Sequence, residues 1–154
     1  MDAFSTSSIT EFAIVLAGFS GLVIAIGSKE GKSSPLTKHR TLCMLSFSFA
    51  AAFGSLLPAL ALSFGIPNIW SFSSYGLICI LLVAVIVVYL STRLLLNEEE
   101  RKKLAWYMYI LIYWVNAFLV FLLALIPIAG LFFIALVWQL IVSAILFTRL
   151  ILQS

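Results

Sequence analysis

The chain has 154 residues, of which 64% are hydrophobic and 10% are charged. Soluble domains carry about 25% charged residues, so this composition excludes a soluble globular domain and a disordered chain. The net charge of +3 does not indicate nucleic-acid binding, because the basic residues are divided among separate connecting segments. The composition therefore predicts an integral membrane protein.

Five apolar stretches follow one another along the chain. They run over residues 9–27, 41–64, 75–96, 104–126 and 131–152. As helices they would reach about 28–36 Å, which matches a hydrocarbon core of about 30 Å. A backbone in lipid must satisfy its own hydrogen bonds, so the stretches are expected to be helical. The predicted fold is an all-α polytopic transmembrane helix bundle with five membrane-spanning helices, forming a single domain over the whole chain.

The basic residues predict the orientation of this bundle. All nine Lys and Arg fall in residues 28–40, in residues 93–103 or at Arg149, and five crossings place these three groups on one side. Because positive charge is retained in the cytoplasm, the N-terminus is predicted outside and the C-terminus inside. The alternative, a cleaved signal peptide, expects basic residues ahead of the first apolar stretch, but residues 1–8 carry only Asp2 as a charged side chain.

Small residues recur every four positions in the first two stretches and form a candidate helix-packing face. Its members are Ala13, Ala17, Gly21, Ala25, Ser46, Ala50 and Gly54. Small side chains at this spacing let two helices approach closely in lipid. The face could join these two spans within one chain, or it could form a subunit interface. Pro58 continues the second row and is a candidate hinge, because it cannot donate the helical hydrogen bond to Gly54.

Neutral polar side chains at mid-membrane depth form a second candidate site. Asn116 and Gln139 lie 12 and 11 residues from the centre of the connection near Ile128, so antiparallel helices would bring them level. Tyr113 and Ser143 are both 15 residues from that centre and share the same helix faces. We call these four residues the polar seam. It is predicted to be a structural clasp or, alternatively, a strip facing a pore or a partner subunit.

Groups that support catalysis or cofactor binding are scarce. The only histidine, His39, is expected to be solvated in a basic loop, and one His with two Cys cannot complete a closed zinc site. Cys43 and Cys79 are predicted at different membrane depths, too far apart for a disulfide. We expect no catalytic residues, no metal and no cofactor.

Several short motifs lie in the first half of the chain: Glu11-Phe12-Ala13, Ala17 to Val23, His39-Arg40, Leu56-Leu57-Pro58 and Trp70-Ser71. In these motifs the chain resembles a group of small uncharacterised multi-pass proteins of bacterial inner membranes. The resemblance implies a bacterial inner membrane location. It implies no activity and no functional residue.

Three functions are compatible with these features, and the first of them is the one we expect. The first is a homo-oligomeric channel or pore for ions or small solutes, which can be built from amides and hydroxyls without buried charge. The second is a non-catalytic accessory or assembly subunit of a larger membrane complex. The third is a carrier for an uncharged or lipid-like solute. The expected partners are the lipid bilayer and either copies of this chain or another membrane protein.

Overall fold

The structure is a computed structural model that describes residues 34–104 and 106–152, together with Glu11, Ile14, Val15, Gly18 and Gly21. The regular secondary structure of these residues is helical, which confirms the predicted all-α class for the described part. Within residues 34–104 and 106–152 five helices follow one another: α1 (Pro35–Ser63), α2 (Ile69–Leu95), α3 (Glu98–Lys102), α4 (Trp106–Leu125) and α5 (Ala129–Leu152).

The first of these helices begins six residues before the predicted span. The Ser34 hydroxyl accepts a hydrogen bond from the Thr37 amide at 3.2 Å, and Pro35 occupies the first helical position. A serine cap followed by proline is a favoured helix start, since proline lacks the N–H that would be left unpaired there. The basic segment around His39 is therefore helical, and the prediction that it is a loop was wrong.

Helix α1 ends at a glycine that the turn requires. Gly65 has φ +65°, its amide donates to Leu62 O at 3.1 Å, and the Ile66 amide donates to Ala61 O at 3.0 Å. These two bonds form a Schellman motif, which needs a left-handed residue at the position of Gly65. The turn directs the chain back along α1 into α2.

The acidic segment before the fourth predicted span forms a separate short helix. Helix α3 ends at Lys102, and α4 begins at Trp106. The Arg101 guanidinium donates to the carbonyls of Thr92, Arg93 and Leu96 at 3.0–3.2 Å. These bonds hold α3 against the end of α2, so the acidic segment is a helix separate from α4.

The long helices alternate in direction, and α2 and α5 each contact the other three. Helix α1 packs most extensively against α2 and α5, while α4 contacts α2 and α5 more sparsely. At one end of the bundle the start of α1, the end of α2 and the start of α4 meet through the contacts of His39 with Ser91 and Tyr109. The end of α5 joins them there, where Arg149 donates to the Tyr107 hydroxyl at 3.0 Å. At the other end Trp70 packs against Phe132, with ring centroids 6.0 Å apart.

Three described helices, α1, α2 and α5, are long and apolar enough to cross a membrane. Helix α4 contains a shorter apolar segment of 17 residues, Tyr109–Leu125. Its outward side chains are large and apolar, with Trp114 and Phe118 exposed by 73% and 60%. A bilayer would cover such side chains, so these helices indicate a membrane protein. The first predicted span, residues 9–27, lies outside the described residues except for the five positions named above.

Candidate functional site

The centre of the polar seam is a hydrogen bond between α4 and α5. Gln139 Nε2 donates to Asn116 Oδ1 at 2.7 Å, and Asn116 Nδ2 donates to the Ile112 carbonyl of its own helix at 2.9 Å. Gln139 is 0% exposed and Asn116 is 3% exposed. Gln139 Oε1 has no hydrogen-bond partner among the described residues. The two amides therefore join the helices inside the chain.

The other two members of the seam have different neighbours. Ser143 contacts α1, where its hydroxyl donates to Met44 O at 3.1 Å and lies within hydrogen-bond distance of the Ser48 hydroxyl. Tyr113 is half-buried and lines a cavity between α2 and α4. Counting residues from the connection near Ile128 gives the membrane depth of each side chain. It could not indicate these contacts, because depth does not specify how each helix is rotated about its axis.

The second row of small residues faces the core of the chain. An added Cβ at Gly54 would lie 2.7 Å from Leu77 Cδ1 and 2.8 Å from Leu136 Cδ2. Because Gly54 has no side chain, Leu77 of α2 and Leu136 of α5 can both pack against α1 at this position. Ala50 is buried beside it, and Ser46 is partly buried with its hydroxyl bonded to Leu42 O at 2.8 Å.

The first row is described at one position only. Gly21 is helical and exposed, and an added Cβ would contact no side chain of the described residues within 4 Å. Ala13, Ala17 and Ala25 lie outside the described residues. Pro58, the candidate hinge, is buried within α1, and that helix runs without interruption from Pro35 to Ser63.

A buried histidine site lies at the end of the bundle that carries the basic residues. His39 is 0% exposed, and its Nδ1 lies 2.8 Å from Ser91 Oγ. The Ser91 hydroxyl donates to Val88 O at 2.8 Å, so it accepts from Nδ1–H. This arrangement leaves Nε2 as an acceptor for the Tyr109 hydroxyl at 3.3 Å. The prediction that His39 is solvated was wrong.

The early start of α1 explains this burial. With the helix beginning at Pro35, His39 shares a face with Cys43 and Phe47, which are four and eight residues further on and are both buried. Cys43 Sγ lies 3.6 Å from His39 Nε2. The Ser34-Pro35 start signal together with this spacing could have indicated the site from the sequence. Within the described residues no group of three His, Cys, Asp or Glu side chains is placed to hold a metal ion.

A cavity of about 340 Å³ adjoins the histidine site between α2 and α4. Its polar wall contains Thr92 and Arg101, and its apolar wall contains Leu104, Ile110 and four aromatic side chains: Tyr89, Trp106, Tyr109 and Tyr113. We call it the aromatic cavity. Tyr109 belongs both to this wall and to the buried histidine site. The cavity therefore lies against the hydrogen-bonded cluster of His39, Ser91 and Tyr109.

An apolar groove of about 600 Å³ lies between α1 and α2. Along α1 it extends from Ser46 to Leu60, and on α2 it includes Cys79 and Val83. Residue 60 lies fourteen residues after residue 46, so the groove is about 21 Å long, or roughly four helical turns. Small side chains at Ser46 and Cys79 leave space for close approach along this length. Cys79 is exposed, whereas Cys43 is buried, and both thiols are free.

No family model, curated protein or solved structure matches this chain. The fold and the site define its class as a helical membrane protein, and functional inference depends on the contacts described above.

Proposed function

We propose that the chain crosses a bacterial inner membrane five times, with its N-terminus outside and its C-terminus inside. Helix α4 has 20 residues and would reach about 30 Å, enough for a crossing. The seven Lys and Arg among the described residues belong to the segments that meet at the His39 end of the bundle. This clustering supports an orientation with that end in the cytoplasm.

We infer that the protein is a non-catalytic subunit that assembles with another membrane protein. The observation that carries this inference is the Asn116–Gln139 hydrogen bond between two almost fully buried amides. Because Asn116 and Gln139 are bonded to each other inside one chain, they would not line a pore formed between several chains. Gly54, the most tightly packed of the small residues, is likewise used within the chain. These contacts favour a structural role for the seam and for the second small-residue row.

The apolar groove supports assembly with a partner helix. Its length of about four turns suits one transmembrane helix, and small residues along it permit the close approach by which helices associate in lipid. Phe49 and Phe53 border it with exposed rings, which would supply van der Waals contact. The proposed occupant is an apolar transmembrane helix of a partner subunit. The homo-oligomeric pore stays a prediction and is a distinct outcome of the same test.

A matched pair of variants tests this proposal. Val83 lies in the groove and Val137 lies on α5 outside it, and both side chains are exposed, by 60% and 45%. Val83→Trp should fill the groove and abolish co-purification of a stoichiometric membrane partner, while Val137→Trp should retain the partner. A photo-crosslinker attached to Cys79 should capture the same protein, and Cys79→Ser is its control.

Other outcomes have definite meanings. Crosslinks only between copies of this chain, with solute flux in vesicles, would overturn the subunit proposal in favour of the pore. A monomer in nanodiscs that captures only lipid at Cys79 would overturn both. Equal loss of the partner in the two tryptophan variants would place the interface elsewhere and refute the assignment to the groove.

A further inference from the structure

We propose that the aromatic cavity binds the phosphate headgroup of an anionic phospholipid. The inference concerns a different surface from the apolar groove. It rests on the membrane location of the protein and does not depend on the subunit role. Basic pockets between transmembrane helices at the cytoplasmic side are suited to anionic headgroups, because attraction to phosphate adds to apolar contact with the acyl chains.

Arg101 is the side chain that would contact the phosphate. Its Nε donates to Thr92 O at 3.2 Å and to Leu96 O at 3.1 Å, and its Nη2 donates to Arg93 O at 3.0 Å. A guanidinium has five N–H groups, so these bonds leave both N–H groups of Nη1 and one of Nη2 for a ligand. Phosphate oxygens accept paired N–H donors of this kind. The carbonyl contacts hold the guanidinium in place, which lowers the entropy cost of binding.

The aromatic walls suit a ligand that lies at the membrane interface. Tyr89 is 49% exposed and Trp106 is 70% exposed, while Tyr109 and Tyr113 are partly buried. Aromatic rings with a polar tip are favoured at headgroup depth, where one end is wet and the other is apolar. Ile110 also lines the cavity and is exposed on α4, so acyl chains could continue along that helix.

The charge of the surroundings selects an anion. Among the described residues the segments at this end carry seven Lys and Arg and three Glu, a net charge of +4. Arg93 lies 5.0 Å from the centre of the Tyr89 ring, so a second cation is next to the cavity wall. Four aromatic rings alone would suit a quaternary ammonium group, but the Arg101 guanidinium in the same cavity would repel it. A phosphate that carries net negative charge fits both features.

The test measures binding of short-chain lipids to the purified full chain in detergent. Dioctanoyl phosphatidylglycerol is titrated against dioctanoyl phosphatidylcholine by native mass spectrometry, with inorganic phosphate as a competitor. Phosphatidylglycerol should bind at least about tenfold more tightly than phosphatidylcholine, because both lipids offer a phosphate but the choline group of phosphatidylcholine is a cation that the Arg101 guanidinium would repel. Arg101→Gln should remove that preference. Lys103→Gln removes one charge from the same end without altering the cavity and should weaken binding less than threefold.

Each remaining outcome decides the proposal. Equal affinity for the two lipids, or equal effects of the two charge-removing variants, would overturn it. Displacement of the lipid by millimolar inorganic phosphate would assign the site to free phosphate and overturn the lipid source.

If Arg101→Gln unfolds the protein, Trp106→Leu replaces an exposed side chain and should still weaken phosphatidylglycerol binding. A merely structural Arg101 would lower stability without changing headgroup preference. Val83→Trp should leave lipid binding unchanged, so this result is separable from the subunit proposal.

Discussion

The hydrogen bond between Asn116 and Gln139 permits a quantitative test of the clasp. Replacing Gln139 with Leu removes the donor to Asn116 Oδ1, while Asn116 Nδ2 keeps its bond to Ile112 O. Gln139 Oε1 has no partner among the described residues, so its removal breaks no hydrogen bond there. The expected loss in the free energy of unfolding is that of one interhelical hydrogen bond in a membrane, about 0.6–2 kcal/mol.

Replacing Asn116 with Leu should be more costly. It leaves the Gln139 amide buried without the hydrogen bond that Nε2 donates to Asn116, and a buried unpaired polar group costs about 1–3 kcal/mol. Leu at both positions removes the orphaned groups as well as the bond. The double variant should therefore be less destabilised than the sum of the single variants, by about 0.6–1.7 kcal/mol.

Reversible unfolding in mixed micelles, followed by loss of helical circular dichroism, measures all four species of this cycle. Thr148→Val is a suitable control, because its exposed hydroxyl bonds only to Ala144 O within the same helix. Single variants that add to within about 0.3 kcal/mol would refute the clasp. Altered solute flux in a double variant of unchanged stability would instead support a pore-lining seam.

Three further substitutions test other packing and backbone contacts, with thermal unfolding as the measurement. Gly54→Ala should destabilise by about 1–3 kcal/mol through overpacking against two leucine side chains. Gly130→Ala, whose added Cβ would contact no side chain of the described residues, should change little, and equal shifts would contradict the close approach. Ser91→Ala should cost about 1–3 kcal/mol because the buried His39 Nδ1–H loses its acceptor, and a neutral result would contradict that bond. Gly65→Ala should cost about 1–2 kcal/mol at its left-handed φ, and an unchanged midpoint would contradict the Schellman turn.

Much of the helical pattern could be predicted from the sequence because hydropathy and turn chemistry are local properties. The turn at Gly65, the connection before Ala129 and the level placement of Asn116 and Gln139 all follow from residue type and counting. Boundaries were less accurate, since α1 begins at Pro35 and not at residue 41. The basic segment around His39 was predicted to be a solvated loop, because Ser34 and Pro35 were not recognised as a helix start.

The amino-acid sequence by itself determined that this chain is built from apolar helices, because each residue carries its own transfer free energy wherever it lies. Only the tertiary structure decided which side chains those helices turn towards one another. It buried His39 against Ser91 and Tyr109, directed Ser143 towards α1, and held Arg101 on the carbonyls at the end of α2. Such contacts depend on the rotation and pairing of helices distant in the chain, which no local pattern specifies.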